Sequence, residues 1–179
     1  MTLTTRLTSL VLGLASLKLA AGAAIAQPEV VPGPGLPSLE QLGLTSAELY
    51  SLGKPNITAV LGNEFSANFD PRCGPAEAAY VNVNDIIACF HYLDRLGHQD
   101  CVAPPNLGIV RFCTAGNGVV SGQALDSRGS SSWCSDVAKA SLYTIDHCTR
   151  PDQSVAGFQA ANGNGNLIVG STNKRWIGG

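Results

Sequence analysis

Six cysteines, Cys73, Cys89, Cys101, Cys113, Cys134 and Cys148, all fall beyond residue 72 of this 179-residue chain. An even number of cysteines behind an export leader predicts three disulfides, because thiols in the secretory pathway are oxidised. Fifteen connectivities are open to six cysteines. The Pro104-Pro105 corner can fold the stretch between Cys101 and Cys113 back on itself, so that pair is the expected one. Closing such a loop of about a dozen residues contributes on the order of 3 kcal/mol by the chain-entropy argument. The other four cysteines are expected to tie two helices to each other or to the segment leading into them. The competing use of cysteine is zinc, which wants Cys-x-x-Cys or closely spaced His pairs; the chain has neither, and no metal or cofactor is expected.

The leader itself is read from residues 1–26. Met1 to Arg6 carries one positive charge, Leu7 to Leu17 is mostly apolar, and Ala24-Ile25-Ala26 has the small-x-small form of a cleavage site. This predicts a signal peptide cut after Ala26 and a secreted, extracellular product. The apolar run is about half a membrane span, so an anchor is not expected. Losing Arg6 and Lys18 with the leader takes the basic count from 11 to 9 against 13 acidic residues, a net charge of −4. Nucleic acid is therefore not an expected partner. At 13% charged residues the chain is not highly charged disorder either.

Residues 27–69 read as a proline-rich linker and short helical arm, with a pro-segment as one of its possible roles. Gln27 to Pro37 holds Pro28, Pro32, Pro34 and Pro37 and reads as extended. Ser38…Gln41 and Thr45…Glu48 have capping-box form but precede too few apolar residues for long helices. Asn56-Ile57-Thr58 is an N-glycosylation acceptor in a loop-like setting after Pro55, and Asn56 is expected to be used.

Residues 70–179 read as a cysteine-rich α+β core domain. Asn82 caps a helix with Asp85 in its first turn, Gly97 past its end, and a stripe of Val83, Ile86, Ile87, Phe90 and Leu93. Gly108 to Thr114 alternates as a strand, Asn117-Gly118 signals a hairpin, and Val119 to Leu125 returns. Ser131 or Ser132 is expected to start a second helix, with Trp133 stapling its entrance to the core. Strand-like runs then flank Asn162-Gly163-Asn164-Gly165. Asn84-Asp85-Ile86 with Tyr92 seven residues after the Asp matches Ser135-Asp136-Val137 with Tyr143 seven after. Two αββ halves follow, docked as one antiparallel sheet with both helices packed on one face and stapled by disulfides.

Catalysis finds little support in these letters. His91, His98 and His147 sit on or just past the two helices, and no Gly-x-Ser-x-Gly elbow is present. Small secreted ribonucleases need a glutamate base with arginine and histidine on one sheet; here every glutamate precedes the first core helix, and the strands carry only Arg111. Glycosidase chemistry would have to use aspartates, and Asp85 and Asp136 are explained by their helix starts. The hairpin tips, Asn117, Gly118, Asn162 and Asn164, are the expected recognition loops. Lys174-Arg175 is a dibasic pair in the tail, a possible processing site like Ala26.

The residues also carry a resemblance. Asn84-Asp85-Ile86 leading to Cys89 and Tyr92-Leu93, then Phe112-Cys113, Cys134-Ser135-Asp136-Val137-Ala138 and Ala156-Gly157-Phe158-Gln159-Ala160-Ala161-Asn162-Gly163 resemble small cysteine-rich secreted fungal proteins. More loosely they are similar to killer-toxin-like and necrosis-inducing effectors with an α/β-sandwich fold. The resemblance spans about Cys73 to Thr172. It implies a non-enzymatic, monomeric virulence or antimicrobial protein that binds a host or competing-microbe protein, membrane or wall component. The alternatives are a structural or cell-surface protein of the fungal wall or matrix, and an extracellular hydrolase or nuclease.

Overall fold

The computed structural model describes residues 26–62, 65–67 and 69–176. The leader expected over 1–26 therefore lies outside the described residues except for Ala26, which is exposed coil. An arm comes first: β1 (Val30–Pro32), α1 (Ser46–Ser51), α2 (Ile57–Leu61) and β2 (Arg72–Cys73). A first unit follows, with β3 (Val81–Asn82), α3 (Val83–Arg95), β4 (Asp100–Ala103), β5 (Ile109–Ala115) and β6 (Gly118–Ala124). A second unit repeats it, with β7 (Ser130–Trp133), α4 (Cys134–Cys148), β8 (Ser154–Val155), β9 (Gly157–Ala161) and β10 (Asn164–Asn173). The main sheet is antiparallel in the order β1-β5-β6-β10-β9-β2. The fold is α+β.

Local chemistry explains most boundaries. Asn82 Oδ1 accepts from Asn84 N at 2.9 Å to cap α3, and Gly97 takes a φ of +55° just beyond its end. The expected stripe is buried, with Cys89 among it. The first hairpin turns one residue earlier than the Asn-Gly signal. Ala115 pairs with Gly118, and Gly116 supplies the positive φ (+52°) needed at the first central position of a type II′ turn. The second hairpin turns at Asn162-Gly163 as expected. The second helix starts later than Ser131 or Ser132. Those serines instead form β7, because their backbone pairs with β4 (Cys101 opposite Ser132) before the helix begins at Cys134.

The two units are related by a pseudo-two-fold axis between β6 and β10. β3 leads into α3 and pairs with β8, the strand leaving α4; β7 leads into α4 and pairs with β4, the strand leaving α3. The first helical amides obey the same rule. Val83 N donates to Gln153 O at 2.9 Å, and Cys134 N donates to Gln99 O at 2.8 Å. Each helix-start aspartate also holds its own hairpin tip. Asp85 Oδ2 accepts from Asn117 N, and Asp136 Oδ1 accepts from Asn162 Nδ2.

The disulfides are Cys73–Cys148, Cys89–Cys113 and Cys101–Cys134. The expected Cys101–Cys113 link is not made. Cys101 lies on β4, in the small ladder with β7, while Cys113 on β5 points at α3. Direct pairing connects Cys113, Val120, Ser171, Gly157 and Cys73 into one row across five strands. Directly opposed residues of an antiparallel sheet share a face. The row's two ends are therefore bonded to α3 and to α4, which fixes both helices on the same face.

The proline-rich stretch is not a free linker. Val30–Pro32 adds a strand at the β5 edge, where a residue without an N–H is tolerated. The arm then crosses the helix layer and returns as β2 on the opposite edge. Leu49 is buried, Tyr92 Oη donates to Pro37 O at 2.7 Å, and Phe65 stacks on Tyr143. Both capping boxes form, although only Thr45 starts a helix.

Peptide mapping without reduction should recover the three observed pairs and no Cys101–Cys113 peptide. The links close sequence separations of 75, 24 and 33 residues. Chain entropy assigns them about 3.5 to 4.5 kcal/mol each, most for the longest loop. The double variant Cys73→Ala/Cys148→Ala should therefore lose the most stability in denaturant titrations. A smaller loss than for the Cys89–Cys113 double variant would contradict this ordering.

Candidate functional site

With helices and arm stacked on one face, the other face of the main sheet exposes Ile109 and Arg111, while Ser121, Ala160 and Ile168 on it are buried. Its residues alternate with the disulfide row. The neighbouring row runs Arg111, Ser121, Gly170, Phe158 and Arg72, again by direct pairing across five strands. The next runs Ile109, Gln123, Ile168 and Ala160. Between these rows lies a groove of about 300 Å³ with mostly apolar walls. Ile109, Ile168, Phe158 and Trp176 form the walls, and Ser121, Gln123 and Gly170 complete it.

Gly170 makes room at its position. A Cβ there would stand 2.9 Å from Ser121 Oγ and 3.0 Å from the Phe158 ring, so glycine lets that ring lie against β10. Trp176 is delivered by the turn after β10. Lys174 N donates to Asn117 O, Lys174 Nζ donates to Gly116 O, and Trp176 N donates to Asn173 O. The indole then sits 5.9 Å from Phe158, tilted by 58°. Gln123 Nε2 donates to Leu107 O at 2.7 Å. The walls thus offer apolar contact with few polar demands, the usual composition of a ligand groove.

The residues singled out from sequence lie elsewhere. Asn162 binds Asp136 and accepts from Ser66 N, and Asn164 Nδ2 is held by Ser130, Ser131 and Ser132. Both tip side chains are engaged within the fold. Asn117 is exposed but its backbone ties Asp85 to Lys174, and Gly118 is buried. Lys174-Arg175 is not a loose tail, since Arg111 Nη2 also donates to Lys174 O. Asn56 is exposed and caps α2 through Oδ1, accepting from Ala59 N. The cap uses Oδ1 and not Nδ2, the atom a glycan would use. Trp133 does not staple the core: it is 48% exposed and stacks on His98 at 4.0 Å. His91 Nε2 lies 2.7 Å from Gly53 O, and His147 stacks on Tyr143, with Asp146 Oδ2 3.9 Å from Nδ1. The three imidazoles thus have three separate sets of neighbours. No described helix is long and apolar enough to cross a membrane.

Residues 68–173 match the family described as Domain of unknown function (DUF8794). The chain belongs to this family. No curated protein and no solved structure matches it.

The DUF8794 region contains both units, β2 and most of the groove, and leaves out α1, α2, β1 and Trp176. Its contact with the arm is where protonation is most perturbed. Burial pushes the Tyr92 phenol from 10.0 up to about 12. Burial, then the hydrogen bond and charge of Asp85, push Tyr50 upward as well. A phenol with a higher pKa folded than unfolded supports the fold fully below its unfolded value. That support disappears as pH rises through the folded value. Circular dichroism should therefore show alkaline weakening between pH 10 and about 12, reduced in Tyr92→Phe. Weakening that begins well below pH 10 would contradict the assignment.

At the groove itself, Gly170→Ala should push the Phe158 ring off β10 while keeping far-UV circular dichroism. In a Trp133→Phe background, Trp176 emission should shift to the red as its neighbour withdraws. An unchanged spectrum would mean that Phe158 does not rest on that glycine.

Proposed function

We propose that this chain is a secreted, disulfide-stapled effector or antimicrobial protein of the killer-toxin-like kind, acting by binding rather than by turnover. Its target is a host or competing-microbe component, met through the open face of the sheet. The observation that carries this reading is the aromatic groove of Phe158 and Trp176 on the face that neither helices nor arm cover. Exposed apolar surface of this kind marks recognition sites in small soluble proteins.

Three disulfides fit an oxidising compartment, which supports export through the leader expected over 1–26. Two αββ units with both helices on one face support the killer-toxin-like sandwich. The arm docks on the sheet edge by β1 and on the helix layer by α1, α2 and the Tyr92–Pro37 bond, so it belongs to the working protein in this reading.

The test is infiltration of purified protein into leaf tissue and its application to rival fungi, beside a Phe158→Glu variant with native circular dichroism. The expected result is necrosis or growth inhibition with the natural chain and loss of response with the variant. Indifference in both assays, with retention in the producer's wall, would replace this reading with the structural one. Equal potency of the variant would move recognition away from the groove.

A further inference from the structure

The groove is bordered by basic side chains in a chain that is acidic as a whole. Arg111 and Arg72 stand at the two ends of the row that crosses it, four strand spacings or about 19 Å apart. Lys174 and Arg175 precede Trp176 in the turn that forms its rim. Four of the nine basic residues beyond Ala26 thus edge one face. Arg111 is engaged there, donating to Lys174 O, and Arg72 is exposed. Among the described residues, no carboxylate lines the groove.

The shape of the walls narrows the occupant. A nucleobase needs a flat ring to stack on and polar groups to read its edges. Phe158 and Trp176 are tilted 58° to each other, and Gln123 Nε2 donates to Leu107 O. Two isoleucines and two tilted rings around a glycine suit a flexible alkyl chain, which asks for contact area and no hydrogen bonds. The cleft beside Trp133 is a poorer candidate, because Asn162, Asn164 and Asp136 in it are bonded to one another or to neighbouring strands.

We infer that this groove binds a single-chain anionic amphiphile, with the alkyl chain over Ile109 and Ile168 and the head group on Arg72, the strand neighbour of Phe158. A carboxylate and a phosphate head share the chemistry that a guanidinium recognises. The inference rests on the open face being the recognition surface and names the ligand class for it.

The full chain carrying Trp133→Phe leaves Trp176 as the reporting indole. It is titrated with dodecanoate, dodecyl phosphate and dodecyltrimethylammonium, each below its micellar range. A saturable change in Trp176 emission is expected with at least one of the two anions. The better anion identifies the head group as carboxylate or phosphate. The cation should bind about tenfold more weakly or not at all, and Arg72→Ala should weaken anion binding about tenfold. Equal binding of cation and anion would overturn the inference. So would no saturable response to either anion, native affinity in Arg72→Ala, or displacement of dodecanoate by a short oligothymidylate.

This test separates the inference from the functional reading above. Amphiphile binding without any effect on leaf or fungus leaves the site standing and removes the effector role. Biological activity from a chain that binds neither anion removes only the inference.

Discussion

Two disulfides at opposite ends of one cross-strand row hold this molecule in its shape. Cys113 and Cys73 are the terminal residues of a line through Val120, Ser171 and Gly157, and they are bonded to α3 and α4. A row of directly opposed residues has one facing, so bonding both ends to helices commits that face to the core. The adjacent row then has to face the other way. Arg111, Ser121, Gly170, Phe158 and Arg72 are on the open side for that reason. The candidate site is the reverse of the staple.

The pseudo-two-fold arrangement shows how two small units make one stable domain. Each helix is entered and left through strands that pair with the other unit, so neither half closes its ladders alone. Symmetry ends where the arm docks. Asp85 takes the Tyr50 hydroxyl as well as the Asn117 amide, whereas its counterpart Asp136 takes Lys139 and Asn162. Likewise Tyr92 is sealed under the arm with its hydroxyl on Pro37, while its counterpart Tyr143 stays partly exposed between Phe65 and His147. The third disulfide obeys the same comparison. Cys101 and Cys134 occupy positions equivalent to Val155 and Val83, both buried, so one half uses a covalent link where the other uses apolar side chains.

What was legible in the sequence was local. Asn82, Gly97 and the stripe from Val83 to Leu93 announce α3, and the matching Asp-Tyr spacings announce its twin. Both capping boxes are readable because they depend on residues only three apart. The disulfide partners were not readable, since they depend on which strands lie side by side. Proximity to Pro104-Pro105 favoured Cys113 for Cys101, but β4 leaves the main sheet to pair with β7 and carries Cys101 toward Cys134. The proline-rich stretch resembled a linker because its strand bonds are made with β5, more than seventy residues away. The same limit hid the groove. Phe158 and Trp176 are unremarkable in a short strand and a tail, and only the register of β9 on β10 and the turn through Lys174 bring them together.

One face is closed by staples and arm while the other is left for recognition, and side-chain labelling of the native protein in solution measures that division directly. Hydroxyl-radical footprinting read by mass spectrometry should oxidise Trp176, Phe158 and Ile109 readily. Leu49, Tyr92 and Phe90, buried beneath arm and helices, should stay protected until the disulfides are reduced. Labelling of Tyr92 and Leu49 as fast as Trp176 in the oxidised protein would show that the covered face is open too, and the account would fail.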